Sequence, residues 1–341
     1  MVPLATLAGK DHRLNLKLFC WEITYKSSAL CASLLRSGHY AVYGVARSTS
    51  KARTLAAAEV IPVLAEDPVH SPQPILDIIR LAHIDVVVSC GADQEAQGVL
   101  KNIIEAGKQR LQENENAGIH NVKLGFVYTS GTWVHGSSSA PVTDLEPVGT
   151  KKSRTQPPRL VSWRPAIERD VLAVKNVLDT MIVRPGLVYG RGHAIWSSFF
   201  HPVMKAAKES SSSAVRIPLN HNARPGLVHV DDVASGLHAA IDKLPLFAGI
   251  GVYPVFDLIG HTENMQEVFD ALARTMGFKG KVELVGAGDS AFSEAMSTSG
   301  NVSSERAKQL LDWIPRRVSF VDGMDVYGAA FVAAQEAESK L

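Results

Sequence analysis

Residues 16–47 read LKLFCWEITYKSSALCASLLRSGHYAVYGVAR, and this stretch decides the fold. Its opening LKLFCWEI (16–23) is a short apolar run. SSALCASLLRSG (27–38) follows with helical spacing: Leu30, Leu34 and Leu35 share one face, and Gly38 suits a C-cap. AVYGVAR (41–47) then returns to strand composition. A strand, a helix and a second strand over some thirty residues predict parallel strands joined by a crossover helix.

Working outward, the alternation repeats. After a helix near 50–58, VIPVLAED (60–67) predicts a third strand, ILDIIRLA (75–82) a helix, and IDVVVSCGA (84–92) a fourth strand. That run is apolar throughout, so it belongs inside the sheet. A helix over roughly 94–113 leads to VKLGFVYTSG (122–131), and RPAIERDVLAVKNVL (164–178) leads to DTMIVRPGLVYG (179–190). At least six strands follow this pattern. Between the last two strands, 137–162 is rich in Ser, Pro and Thr, which suits a surface loop over a site. Ser210 to Ser213 suggest a second flexible loop. PGLVHVDDVASGLHAAI supplies a strand, a turn and a helix whose start is primed by Asp231 and Asp232, with Asp232 expected to cap it. The remainder holds FDLIG, a helix from Asn264 to about Met276, KVELVG, the helix SERAKQLLDW and a last helix near 320–337. There is no internal repeat.

The 341 residues carry 35 Lys+Arg against 34 Asp+Glu, a formal charge of +1. That balance argues against nucleic-acid and anionic-membrane partners, which select a basic face. No stretch reaches the roughly 18 apolar residues of a membrane span. The first fifteen residues read as a tail, because Lys10, Asp11 and Arg13 interrupt their apolar start. Cys20, Cys31 and Cys90 lack both the spacing of a zinc site and the density of a disulfide scaffold, which fits a cytoplasmic protein. The histidines show no H-E-x-x-H or comparable spacing, so no metal is expected.

LLRSGHYAVYGVAR, DVVVSCGA, VYTSGTWVHG, IVRPGLVYGRG, LVHVDDVA and RAKQLLDWIP occur in one order over about residues 16 to 337. Together they resemble the extended short-chain dehydrogenase/reductases, the NAD-dependent epimerase/dehydratase family. The resemblance implies an α/β fold: a Rossmann-type, doubly wound parallel sheet with a smaller C-terminal substrate lobe. It divides the chain into the tail 1–15, a dinucleotide-binding core 16–190 to which 225–258 return, and a substrate-binding lobe of 191–224 and 259–341. A small-molecule substrate is implied, and a homodimer by analogy.

In that family the first strand ends in G-x-x-G-x-x-G, whose bare backbone bends tightly and meets a pyrophosphate at the helix start. Here the resemblance puts Trp21, Thr24 and Ser27 on the three glycines. Lys26 offers a compensating charge. A misassigned first exon would leave the same pattern, since likeness to the family runs from Ser28 onward; sequencing the transcript's 5′ end tests this. Arg47, where an acid would select NAD, favours the extra phosphate of NADP, with Ser48, Ser50 and Lys51 as helpers. A solvated basic turn is the plain alternative. The implied cofactor is thus NADP, with NAD also compatible. By position, Glu66 and Asp67 would lie near the adenine, Cys90, Gly91, Ala92 and Thr129 along the middle, and Pro185, Gly186 and Leu187 near the nicotinamide.

Family members use a Ser/Thr and a Tyr-x-x-x-Lys pair, whose lysine lowers the tyrosine's pKa. Trp163 and Ile167 fall on the Tyr and Lys positions. An indole cannot act as a proton acid near neutral pH and isoleucine has no charge. The family serine falls on Gly131, flanked by Ser130 and Thr132, which become the candidates for holding a substrate oxygen. Glu168 and His135 are candidate substitute acids, set against a helical pairing of Glu168 with Arg164 and a packed role for His135. Tyr189 and Arg191 match a family motif at the mouth of the substrate lobe. Three functions compete: an NAD(P)-dependent oxidoreductase or epimerase-like enzyme on a small alcohol or carbonyl; a non-redox isomerase, cyclase or lyase on the same scaffold; and a catalytically silent dinucleotide-binding protein.

Overall fold

The structure is a computed structural model that describes residues 16–21, 24–91, 95–192 and 194–338. The expected tail, 1–15, lies outside them. β1 (Leu16–Cys20), α1 (Tyr25–Ser37) and β2 (Tyr40–Ala46) form the opening crossover unit. Gly38 ends α1 at φ 73°, a left-handed turn that a side chain would strain, and donates its N–H to Leu35 O. The alternation continues through α2 (Thr49–Ala57), β3 (Ile61–Leu64), α3 (Gln73–Leu81) and β4 (Val86–Ser89). After α4 (Ala96–Asn116) comes β5 (Leu124–Thr129). Every residue of β4 and β5 is buried, as unbroken apolar runs require of strands covered on both faces.

The region 137–162 contains a short strand, β6 (Ser138–Val142), before α5 (Arg164–Ala173). The run expected as one strand over 179–190 is two, β7 (Leu178–Pro185) and β8 (Leu187–Tyr189). The break is steric: a Cβ on Gly186 would stand 2.5 Å from Gly226 O, so only glycine lets β8 turn onto another sheet. Next come α6 (Ser197–Lys208), β9 (Val215–Ile217), β10 (Gly226–His229), α7 (Val230–Phe247) and β11 (Val255–Leu258). The chain finishes with β12 (His261–Thr262), α8 (Met265–Thr275), β13 (Val282–Leu284), α9 (Ala291–Met296), β14 (Gly300–Val302), α10 (Glu305–Leu311) and α11 (Met324–Glu338).

Seven parallel strands form the central sheet in the order β11-β7-β5-β4-β1-β2-β3. This is a doubly wound, Rossmann-type sheet. Its order reverses between β1 and β4, and ligands of such sheets bind outside the strand ends at that switch point. One face buries Leu30, Leu34, Leu237 and Leu311 from α1, α7 and α10, while the other buries Ile79, Ile103 and Val171 from α3, α4 and α5. A separate aromatic cluster, including Phe200, Phe269, Phe320 and Phe331, packs α6, α8 and α11 together. None of the described helices is long and apolar enough to cross a membrane.

The start of α7 differs from expectation. His229 is its N-cap, with Nδ1 accepting from Asp231 N at 3.1 Å. Buried Asp232 does not cap the helix; its carboxylate accepts the N–H groups of Arg316 and Arg317 at 2.9 Å each. A buried carboxylate takes the donors that fully satisfy it, and the segment after α10 offers two.

Candidate functional site

At the C-terminal edge of the sheet two cavities, about 260 and 860 Å³, share Thr24, Tyr25 and Lys26 as walls. These residues are the cap and first turn of α1, where N–H groups without intrahelical partners point outward. The larger cavity lies over β1 and β2, against Trp21, Val45, Arg47, Lys51, Cys90 and Gly91. Ser130, Gly131, Thr132, Arg164 and the Pro185–Leu187 segment border the smaller one.

Most of the proposed cofactor residues gather along this edge. Ser27 is fully buried, and its Oγ accepts from Thr24 N at 2.6 Å and donates to Thr24 O at 3.0 Å, closing the first turn of α1. Trp21 sends its indole into the core beside Phe19, with ring centroids 6.1 Å apart. Its Nε1 is buried with no hydrogen-bond partner among the described residues. Arg47 is exposed and lies 3.5 Å from Glu95. Ser48 caps α2, accepting from Lys51 N at 3.3 Å. Glu66 and Asp67 are exposed and do not border the larger cavity. Asp67 instead binds the His70 backbone N–H at 2.9 Å, which holds its carboxyl below the usual range. Thr129 is buried against Cys90, 3.9 Å from hydroxyl to sulfur. Ala92 lies outside the described residues.

The four candidate catalytic residues separate into two pairs. Ser130 and Thr132 border the smaller cavity. His135 and Glu168 belong instead to a buried charge network at the edge of the sheet. Arg184 Nε donates to Glu168 Oε1 at 3.0 Å, and both side chains are nearly inaccessible. Arg184 also faces Asp257 at 3.7 Å, and Asp257 pairs with His135 Nε2 at 2.8 Å. Glu168 makes its bidentate pair with Arg184 on β7, inside the core, and its charge also acts on Arg164 one turn earlier. Burial opposes the Arg184 charge, but Glu168 and Asp257 outweigh it and hold the guanidinium above its ordinary pKa. Burial, reinforced by Asp257, raises neighbouring Asp144 despite its 2.9 Å pair with Arg306.

Ile167 is buried in the core, and Trp163 is packed against the same cluster. Tyr25 and Lys26 do place a phenol and an ammonium at the smaller cavity. The phenol, however, donates to the carbonyls of Gly190 and of Tyr189, the latter at 3.1 Å, and burial pushes its pKa well up. It acts as a strap between α1 and the end of β8. Tyr189 is buried, stacked on Phe320 at 4.3 Å, and Arg191 pairs with Asp231 at 2.8 Å. The residue that sequence reasoning treated only as a helix partner is Arg164, whose guanidinium borders the smaller cavity. Gly131 was the available signal, since a residue without a side chain leaves the room Arg164 fills.

With this geometry in hand, a sequence profile described as the NAD dependent epimerase/dehydratase family matches residues 25–247. The chain belongs to that family. No curated protein matches it in sequence comparison. Among solved structures, it is similar to UDP-glucuronic acid 4-epimerase from Bacillus cereus, in complex with UDP-glucuronic acid and NAD. That pair is 17% identical with a TM-score of 0.64, covering 93% of this chain and 99% of that one. dTDP-glucose 4,6-dehydratase from Bacillus anthracis, in complex with NAD, is 16% identical with a TM-score of 0.68, covering 94% and 98%. UDP-glucose 4-epimerase from Thermotoga maritima, with UDP-glucose, is 16% identical with a TM-score of 0.65, covering 94% and 99%. At this identity the likeness is one of fold.

The edge fits a dinucleotide on its own terms. The buried Trp21 indole lies in the core, and the 860 Å³ cavity beside it is within the roughly 300–1,000 Å³ of small-molecule sites. The first turn of α1 has no acidic residue, and Lys26, Arg47 and Lys51 make the surroundings cationic.

Proposed function

We propose that this chain binds NADP, with NAD as the weaker alternative, along the two cavities and receives a small alcohol or carbonyl compound in the smaller one. The observation that carries this reading is the meeting of the cavities at the N-terminus of α1, with cationic side chains around it. Lys26 and the α1 backbone would hold the pyrophosphate, Arg47 and Lys51 the adenosine end, and Pro185 to Leu187 the nicotinamide end. A bound nicotinamide supplies hydride transfer. Ser130 and Thr132 orient the substrate oxygen by hydrogen bonding, and residues 191–224 and 259–341 form the substrate lobe, reaching the cavity through Ile195.

A second reading rests on the buried Ile167 and the Trp163 packed against it: a non-redox isomerase, cyclase or lyase that keeps the cleft without the proton relay. One titration decides. NADPH and NADH are added while the fluorescence of the five tryptophans is followed, and nicotinamide absorbance is then monitored with a panel of alcohols and carbonyls. Binding with turnover supports the oxidoreductase reading. Binding without turnover makes the chain a silent dinucleotide-binding protein, and the absence of binding leaves the non-redox reading.

A further inference from the structure

Three thiols gather in the core next to the larger cavity. Cys20 ends β1, Cys31 lies on α1 and Cys90 follows β4, and all three belong to the apolar cluster that α1 and α7 cover. Cys20 Sγ and Cys31 Sγ are 3.5 Å apart. Cys31 also forms part of the cavity wall, while Cys20 is fully buried. Cys90 is engaged differently, its sulfur accepting from the Thr129 hydroxyl at 3.9 Å.

The two sulfurs of the close pair differ in character. The hydrogen bond to Cys31, then burial and the charges of Cys31 and Cys90, push the Cys20 thiol well up, so Cys20 keeps its proton. Thiols react with oxidants as thiolates, and Cys31 lines a cavity that Arg47 and Lys51 make cationic. Cysteines that only fill space in a core are inert. Here one sulfur of the pair borders a cavity of about 860 Å³, ample for a small hydroperoxide.

We propose that Cys20 and Cys31 form an oxidisable dithiol, reached through the larger cavity, that a hydroperoxide joins into a disulfide. Cys31 attacks the peroxide: an S–O bond forms, the O–O bond breaks, and water or an alcohol leaves. Cys31 is thereby oxidised to a sulfenic acid and the peroxide is reduced. Cys20 then attacks Cys31 Sγ. The S–S bond forms, the S–O bond breaks, and the Cys20 proton leaves with the hydroxide as water. The sulfurs close by only about 1.5 Å to reach the roughly 2.0 Å of a disulfide. The segment so tied, 20–31, carries Thr24, Tyr25 and Lys26, the walls common to both cavities. The proposal does not rest on the functional reading above.

The test treats the intact, reduced protein with hydrogen peroxide under native conditions and removes the excess with catalase. The intact mass should fall by two hydrogens, and dithiothreitol should restore it. Remaining thiols are alkylated before digestion. Trypsin cleaves after Lys26, so LFCWEITYK (18–26) and SSALCASLLR (27–36) should appear joined in the unreduced digest. In Cys20→Ser the bridge should be lost, and dimedone, which traps sulfenic acids, should label Cys31 severalfold more than in wild type. Cys90→Ala should keep the bridge. An unchanged wild-type mass, a bridge that uses or requires Cys90, or Cys31 carried on to sulfinic acid with Cys20 still a thiol overturns the proposal. Oxidation that occurs only in guanidinium overturns it equally. Should a variant fail to fold, the wild-type peptides decide alone.

Discussion

Replacing Glu168 with glutamine keeps the side chain's shape and removes the charge that Arg184 faces. Both groups are almost inaccessible, at 1% and 2% side-chain exposure, so water cannot take over. Removing one partner of such a pair typically costs about 3–5 kcal/mol. Asp257, 3.7 Å from Arg184, retains part of the countercharge and places the loss near the lower end, about 3 kcal/mol. At about 2.1 cal/mol/K per residue, a chain of 341 residues unfolds with an entropy of about 0.7 kcal/mol/K, so the melting temperature should fall by about 4 °C. Calorimetric melting of wild type and Glu168→Gln at pH 7.5 measures this directly. The double variant Glu168→Gln with Arg184→Met should recover part of the loss, because an apolar replacement removes the stranded charge. A single variant that melts within about 1 °C of wild type would refute the reasoning and return Glu168 to the list of proton-transfer groups.

Other expectations are equally open to measurement. Burial, against the pull of nearby Asp231 and Asp242, lowers the pKa values of His229 and His238 below their usual 6.5, so the unfolded chain takes up protons first and stability should fall as pH drops below about 6.5. Melting temperatures at pH 8 and 5.5 check the sign, and His229→Asn, which can still cap α7, should reduce the drop. Gly136 sits at φ 65° with Gln156 O only 2.1 Å from where a Cβ would stand, so Gly136→Ala should lower stability in urea unfolding by at least about 2 kcal/mol. Arg47→Ala should weaken NADPH about tenfold and leave NADH within about twofold in parallel titrations, since only the former carries the phosphate Arg47 would meet.

The sheet was readable because its strands are buried on both sides and keep unbroken apolar runs: the alternating pattern, the C-cap at Gly38 and the mid-sheet position of β4 all follow from local sequence. The division of β7 from β8 was hidden, because the residue that forces it, Gly226, lies forty positions from Gly186. The same distance effect conceals the polar network. Helical spacing suggested Arg164 for Glu168, but the bidentate partner is Arg184 on an adjoining strand, and His135 meets Asp257 across 122 residues. The sequence showed Trp21 at the end of β1, but nothing local indicates that its indole turns into the core beside Phe19 and leaves a cavity open.

The proposed binding mode lays a dinucleotide along the strand ends, across the N-terminus of α1. Hydrogen–deuterium exchange of the intact protein with and without saturating NADPH addresses it most directly. Protection is expected together in three segments, at the start of α1 around 24–28, at the β2–α2 turn around 47–51, and around 185–188. Unchanged exchange in all three, with NADPH present at millimolar concentration, would contradict that placement.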